Sequence, residues 1–221
     1  AAFPFAEVIS GYTAFYLGVQ SIVPEAKMLV KYTNTWSNYS LEKQVAVELI
    51  NEGCVLISQH SDTKGPAVAC ENSKRTLPVY HVGYNQSMTD IAPTRSLVSC
   101  SVDYSYYFEQ SINALLHGKK IEDCIDGKVY GQDAMAGIEK GWVRILDINY
   151  AILPENIDSI VKSVSSKIEK NDIFIFSGNF TGTDPFDSSH KIDLRTPFFE
   201  NEKSSSPAFC YVLDDVIKIL P

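Results

Sequence analysis

His60 and Asp62 are the residues whose types and spacing most resemble a catalytic pair. The imidazole could act as a base, the carboxylate could orient it, and Ser61 or Cys70 could serve as the nucleophile. The sequence contains no G-x-S-x-G, H-E-x-x-H, Walker loop or G-x-G-x-x-G motif. A hydrolase is therefore an interpretation that rests on residue type alone.

Metal and disulfide chemistry have little support in the spacing of the four histidines and five cysteines. No two cysteines stand in C-x-x-C spacing, and an odd number argues against a dense disulfide framework, although one disulfide remains open. Cys54 and Cys100 lie inside apolar runs and are expected to be buried, as is His81 within an apolar strand. We expect neither a metal nor a cofactor.

The composition is that of a globular protein. The chain has 221 residues with 45% hydrophobic and 21% charged side chains, a net charge of −8 and a pI near 5.0. The negative charge argues against binding nucleic acid or an anionic membrane surface. No apolar run approaches the roughly 20 residues that span a bilayer.

Alternating helical and strand patterns occupy residues 5–103. The predicted helices cover 5–23, with apolar groups at Val8, Tyr12, Phe15, Val19 and Ile22; a segment that Ser40 caps and Gly53 closes; and 64–74. The predicted strands are AKMLVKYTN, CVLIS, LPVYHVGYN and SLVSCSV. Helices and strands in this order predict a doubly wound α/β fold with a parallel sheet.

Polar and aromatic residues follow each of these four strands. They are Asn34, Thr35 and Trp36; Gln59, His60, Ser61 and Asp62; Tyr84, Asn85 and Gln86; Asp103 and Tyr104. Ligands bind beyond the carboxyl ends of the strands in such sheets, so this edge is the predicted binding site. Trp36 could be a core residue, but its polar neighbours favour a cleft position, where an indole stacks on a flat ligand such as a nucleobase.

The second half of the chain is less regular. A helix is predicted over 105–117, with Phe108, Ile112 and Leu115 on its face, and a second helix begins at Pro154. GWVRILDIN and DIFIFSG read as strands, residues 178–209 as an irregular tail, and FCYVLDDVIKIL as a closing helix.

Several of these motifs together resemble the basic-membrane-protein family of substrate-binding lipoproteins of ABC transporters. The shared positions are Gly11–Gly18 (G-x-x-A-F-x-x-G), Pro24, Thr33–Trp36, Leu49–Gly53, Gln59–Asp62, Gly83–Asn85, Ala92–Pro93, Ser99, and Tyr106 with Tyr107. The resemblance covers about residues 3–150.

The resemblance implies a type I periplasmic-binding-protein fold, in which two α/β lobes enclose a ligand. Residues 1–103 would form the ligand-binding lobe, and 104–221 the return to the first lobe, the hinge crossings and the C-terminal tail. The chain would begin inside the first strand of the second lobe, so we expect a piece of a longer protein that lacks most of the first lobe.

The resemblance also implies roles for single residues. Trp36 matches the aromatic residue that stacks on the ligand ring, and Asn85 matches a position that binds ribose hydroxyls or a polar edge. His60 and Asp62 fall at the rim of the cleft, and Trp142 in the segment that returns to the first lobe. Together with Asn34, Tyr84 and Asp103 from the strand ends, these residues form the predicted ligand-binding set.

The implied function is solute capture for an ABC importer and not catalysis. The ligand would be a purine nucleoside or nucleobase, and the partners would be the permease subunits and the missing first-lobe segment. The location would be extracytoplasmic, lipid-anchored to the cell membrane or periplasmic. The alternative is a ligand-sensing regulatory module with the same fold.

Overall fold

The computed structural model describes residues 1–221. The first helix, α1 (Ala6–Gln20), leads to the short strand β1 (Met28–Val30). Val8 and Tyr12 are buried as predicted, and Tyr16 and Leu17 complete the buried face in place of Val19 and Ile22. Ile22 is 81% exposed because the helix ends before it.

The predicted alternation of helices and strands continues to residue 102. It comprises α2 (Tyr39–Asn51), β2 (Leu56–Ser58), α3 (Gly65–Glu71), β3 (Tyr80–Tyr84) and β4 (Ser96–Val102). The cap of α2 is Asn38 and not Ser40, because the Asn38 side chain accepts a hydrogen bond from the backbone N–H of Leu41 at 3.1 Å. Gly53 follows α2 with φ 105°, as a terminating glycine should.

The middle of the chain contains two helices whose apolar faces are poorly covered. It comprises α4 (Ser105–Leu116), the hairpin strands β5 (Lys128–Tyr130) and β6 (Asp133–Met135), a 3₁₀ turn (Ile138–Lys140), β7 (Val143–Leu146) and α5 (Ile157–Glu169). Phe108, Ile112 and Leu115 are 56–64% exposed, so the face predicted for α4 points to solvent. α5 has no buried residue at all.

The C-terminal third is strand-rich, which corrects two expectations. It contains β8 (Thr181–Thr183), β9 (Lys191–Asp193), β10 (Val212–Leu213) and β11 (Ile217–Ile219). Residues 178–209 therefore include ordered strands, and the closing helix is wrong. Asp215, at φ 63°, lies in the turn between β10 and β11. β10 pairs with β8 and β11 pairs with β1, which a helix in this position could not do.

The segment 172–178 is not a strand. The backbone bends so that the N–H of Ser177 bonds to the carbonyl of Ile175 at 3.1 Å, and Gly178 has φ 134°. Phe176 instead stacks on Phe209, with ring centroids 4.0 Å apart. Its backbone makes only isolated bonds to a neighbouring segment, from Gly178 N–H to the Leu194 carbonyl and from Phe198 N–H to the Phe176 carbonyl, both at 2.9 Å, and it joins no sheet.

The central sheet has the order β2-β3-β4-β7, with β2, β3 and β4 parallel and β7 antiparallel at the edge. β1 pairs in parallel with β11, and β8 lies between β9 and β10. The backbone of Ala1 and Ala2 joins the ends of β1 and β2, through bonds from Thr33 N–H to Ala1 and from Ala2 N–H to His60. The predicted α/β class with a parallel sheet is confirmed.

Two apolar cores stabilise these layers. One joins α2, β2 and α3 through residues such as Ala46, Ile50 and Ile57. The larger one joins α1 and β1 to the C-terminal third, where Phe209 and Leu213 are fully buried. The predicted division between residues 103 and 104 stays a prediction, although the first and last thirds of the chain share one core.

Candidate ligand-binding edge

The loops after β1, β2 and β3 meet at the carboxyl ends of these three strands, although β1 belongs to a different sheet from β2 and β3. The N–H of Asp62 donates to the carbonyl of Trp36 at 2.9 Å, which ties the second loop to the first. Asn34 and Asn85 have φ 53° and 63°, in the left-handed region that Asn tolerates better than most residues. These turns bring six of the eight predicted site residues to the same edge: Asn34, Trp36, His60, Asp62, Tyr84 and Asn85.

An aromatic surface forms one part of this edge. Phe3 and Phe5 stack at a centroid distance of 5.1 Å, and Trp36 lies tilted against them at 5.4 and 6.1 Å. Phe5 is 51% exposed and Trp36 36% exposed, so both rings retain free surface. Three aromatic rings that remain partly open can stack with a flat ligand.

His60 and Tyr84 form a second part, in which both groups are neutral at pH 7. Their ring centroids are 4.4 Å apart. Burial lowers the pKa of His60 to about 4, against the opposing charge of Asp62. Burial raises the pKa of Tyr84 to about 12, with smaller contributions from Cys100, Tyr104, Glu7 and Asp62. Neutral imidazole and phenol groups can exchange hydrogen bonds with a polar ligand without carrying charge.

A polar edge, made of Asp62, Asn85 and Gln86, links the second and third loops. The Asn85 side-chain amide donates to Asp62 Oδ1 at 3.2 Å, and the Gln86 amide donates to the Asp62 carbonyl at 2.8 Å. Asp62 keeps further lone pairs for a donor on a ligand. Amide and carboxylate groups beside aromatic rings suit a heterocycle with N–H or hydroxyl groups.

Asp103 and Trp142 lie in a separate group. The N–H of Asp103 donates to the carbonyl of Trp142 at 2.6 Å, and the Asp103 carboxylate pairs with Arg144 at 3.0 Å. Hydrogen bonds from Ser105 and the Arg144 charge hold the pKa of Asp103 below its usual range. Trp142 is 8% exposed and packs against Tyr107 at 6.0 Å, so its indole has little surface left for a ligand.

Sequence reasoning missed Phe3 and Phe5. The signal was present in FPF, two aromatic residues on either side of a proline directly before the first helix. Alternation about Pro4 places both rings on one side of an extended segment, which is the arrangement observed. The strand-end argument did not reach them because they precede a helix and follow no recognisable strand.

The geometry gives no support to the hydrolase interpretation. The Ser61 hydroxyl donates to the Glu42 carboxylate at 2.8 Å, and His60 has no hydrogen bond to Asp62. Cys70 is fully buried, and burial raises the pKa of its thiol to about 12. Ser61 is 2% exposed and Cys70 is fully buried, so neither candidate nucleophile has the access to a substrate that catalysis needs.

Residues 1–175 match the family described as Bmp, ABC transporter substrate-binding protein PnrA-like. The chain belongs to this family. The match covers most of the chain and includes every residue of the aromatic surface and the polar edge. Family membership and the α/β architecture agree on a periplasmic-binding-protein fold. Proteins of the Bmp family are substrate-binding proteins of ABC transporters and act outside the cytoplasm.

Two curated relatives illustrate the range of names among similar proteins. A putative ABC transporter glucose-binding protein of Haloferax volcanii is 26% identical over 179 residues, which are 81% of this chain and 42% of that protein. A purine-binding protein of Brucella abortus is 23% identical over 175 residues, 79% of this chain and 46% of that protein. The chain thus spans less than half the length of these relatives.

A solved structure shares the fold. The ABC transporter solute-binding protein from Conexibacter woesei superposes with a TM-score of 0.57 at 14% identity, over 76% of this chain and 53% of that one. No helix of the present structure is both long and apolar enough to cross a bilayer.

Proposed function

We propose that this chain is the ligand-binding part of a solute-binding protein that serves an ABC importer, and that its ligand is a purine nucleoside or nucleobase. The single observation that carries the ligand class is the aromatic surface of Phe3, Phe5 and Trp36 beside the polar edge. A purine offers a flat ring for the first and N–H groups for the second. The protein binds and releases this ligand and does not transform it.

The uncovered helix α5 supports a second wall that lies outside these residues. Ile160 and Val164 are 47% and 43% exposed, and Phe174, just after the helix, is 42% exposed. A contiguous exposed apolar face commonly marks a site that another surface covers. We propose that a further first-lobe segment packs here and closes over the ligand, and that the closed form delivers the ligand to the permease subunits. Such a protein would be extracytoplasmic, lipid-anchored or periplasmic.

The test is a titration of the protein with adenosine, guanosine, adenine, riboflavin and glucose, followed by calorimetry. Trp36→Ala removes the stacking ring. Phe186→Ala is the matched control, because Phe186 is a 73% exposed aromatic residue in the loop between β8 and β9. Stacking of a base contributes about 1–3 kcal/mol, so Trp36→Ala should weaken purine binding by about 5- to 150-fold.

The outcomes separate the parts of the proposal. Purine binding that Trp36→Ala weakens and Phe186→Ala leaves unchanged supports it. Binding of glucose alone overturns the ligand class, and binding of none overturns the solute-capture function of these residues. Because half of the binding cleft would come from elsewhere, we expect weak affinity from the 221 residues. Binding at nanomolar Kd, the range of about −12 kcal/mol, would contradict the second wall.

A further inference from the structure

Glu42 is a buried carboxylate directly behind the candidate ligand-binding edge. It lies in the first turn of α2 and is 2% exposed. A buried carboxylate destabilises a fold unless hydrogen bonds compensate for its lost hydration. Neither the family match nor the ligand-binding interpretation gives this residue a role.

The hydrogen bonds of Glu42 connect two different loops. Its Oε1 accepts from the backbone N–H of Asn38 at 3.0 Å, at the end of the loop that carries Trp36. Its Oε2 accepts from the Ser61 hydroxyl at 2.8 Å and from the Thr63 N–H at 3.2 Å, on either side of Asp62. One carboxylate therefore holds the loop of the stacking ring and the loop of the polar edge together.

A second brace fixes the same loop from the opposite side. The Gln59 amide donates to the carbonyls of Ser61 and Thr63, both at 2.8 Å, and its oxygen pairs with His81 Nε2 at 2.9 Å. With the Gln59 oxygen as acceptor, His81 carries its proton on Nε2. Gln59 thus holds the carbonyls of the loop, while Glu42 holds a hydroxyl and an N–H of the same loop.

We propose that Glu42 is a positioning residue that sets the distance between Trp36 and Asp62. The proposal rests on the proposed function, since that distance matters only where a ligand meets both groups. Glu42 acts through Asn38, Ser61 and Thr63 and does not touch the ligand. Without the Glu42 bonds, the backbone bond from Asp62 N–H to the Trp36 carbonyl still joins the two loops, but the indole and the carboxylate are held less firmly, which weakens a ligand that needs both.

The experiment first measures the mobility of the Trp36 side chain in the absence of a ligand. The chain has two tryptophans, so Trp142→Phe leaves Trp36 as the only indole. In this background Glu42→Gln, nearly isosteric, replaces one acceptor with a donor. Glu52→Gln is the matched control, because Glu52 is exposed at the other end of α2. Trp36 fluorescence anisotropy and acrylamide quenching report its mobility, and thermal melting reports stability.

We expect Glu42→Gln to lower the anisotropy of Trp36 and to raise its quenching, while Glu52→Gln changes neither. Ser61→Ala, which removes one donor, should have a smaller effect in the same direction. The change in Trp36 anisotropy and quenching in the double variant Glu42→Gln/Ser61→Ala should be smaller than the sum of the two single changes, because both substitutions break the same hydrogen-bond network. Adenosine affinity should fall about tenfold with Glu42→Gln, the loss expected for one hydrogen bond to a charged group.

Other results overturn the proposal. If Glu42→Gln lowers the melting temperature but leaves Trp36 anisotropy and quenching unchanged, Glu42 only stabilises the fold. An equal response to Glu52→Gln shows a general charge effect. If Glu42→Gln does not fold, Ser61→Ala decides: an unchanged Trp36 signal there overturns the proposal. If adenosine binds to no variant, including the parent, the proposed function fails, and the ligand-free signal still decides the role of Glu42.

Discussion

α2 and α5 have the same length and opposite surroundings. Each has 13 residues, and the sequence of each predicts one apolar face. α2 packs on α3 and β2 and buries Glu42, Ala46 and Ile50. α5 touches the 3₁₀ turn and buries nothing, with Ile160 47% exposed.

The apolar face of α2 is covered by other elements of the chain, whereas the apolar face of α5 is exposed. The periodicity of a helix predicts which face is apolar, but it carries no information on which element covers that face. Around α2 the covering elements follow within the next thirty residues, and the candidate binding edge lies on this self-contained part. The apolar face of α5 is exposed to solvent in this structure.

The largest expected effect compares one isoleucine from each helix. Ile50→Ala leaves a cavity among well-packed neighbours and should lower the free energy of unfolding by about 2–5 kcal/mol. Ile160→Ala removes a half-exposed side chain and should change it by about 0.5 kcal/mol or less. Urea unfolding of both variants measures the two values. Equal losses would show that α5 is packed as tightly as α2, and the contrast between them would be wrong.

Acid should destabilise the protein through His81, which lies in β3. We call α2, β2, α3 and β3 together the α2 side of the molecule. Burial lowers the pKa of His81 in the folded state from 6.5 to about 4. The unfolded chain therefore binds a proton that the folded chain does not, and stability falls as the pH drops from about 6.5 to about 4. His81 alone contributes a loss of roughly 3 kcal/mol over this range, and His60 acts in the same direction.

Urea unfolding at pH 7 and pH 4.5 checks this expectation, with His81→Gln as the comparison. Gln cannot take up the proton, so the variant should lose less stability between the two pH values, whatever its stability at pH 7. A parent protein that is equally stable at both values would contradict the burial of His81. Carboxylates with lowered pKa, such as Asp147, lose their contribution only at more acidic pH.

Much of the α2 side could be predicted from the sequence because its signals are local. The proximity of Trp36, His60, Asp62, Tyr84 and Asn85 could be predicted because polar residues that follow parallel strands lie at their carboxyl ends, whereas their role in binding stays a prediction. Glu42 could not be found this way. The proposed role of Glu42 depends on its hydrogen bonds with Ser61 and Thr63, which are distant in sequence and come close to Glu42 only after the sheet has formed.

The C-terminal third shows why the remaining expectations failed. The segment 209–220 has apolar residues at spacings compatible with a helix, yet β10 and β11 form because β8 and β1 present open edges. The segment 172–178 has the composition of a strand but makes only isolated backbone bonds, to residues 194 and 198, and joins no sheet. Strand formation depends on a partner elsewhere in the chain, and a local pattern does not contain that partner.

The smallest expected effect repeats the contrast within a single helix, since α1 has one covered and one uncovered glycine. A Cβ on Gly11 would lie 2.6 Å from His60 Nδ1, whereas a Cβ on Gly18 would meet nothing within 4 Å. Gly18→Ala should raise the free energy of unfolding by about 0.5–1 kcal/mol, the usual gain from alanine in a helix. Gly11→Ala gains the same helix propensity but must displace the His60 imidazole, so its net effect should be smaller or of opposite sign. Urea unfolding measures the difference, and the His60 ring resonances in NMR spectra show whether the ring moved. If both variants were equally stabilised with His60 undisturbed, the close contact between α1 and the candidate site would be absent, and the binding edge would be less tightly packed than the α2 side to which it belongs.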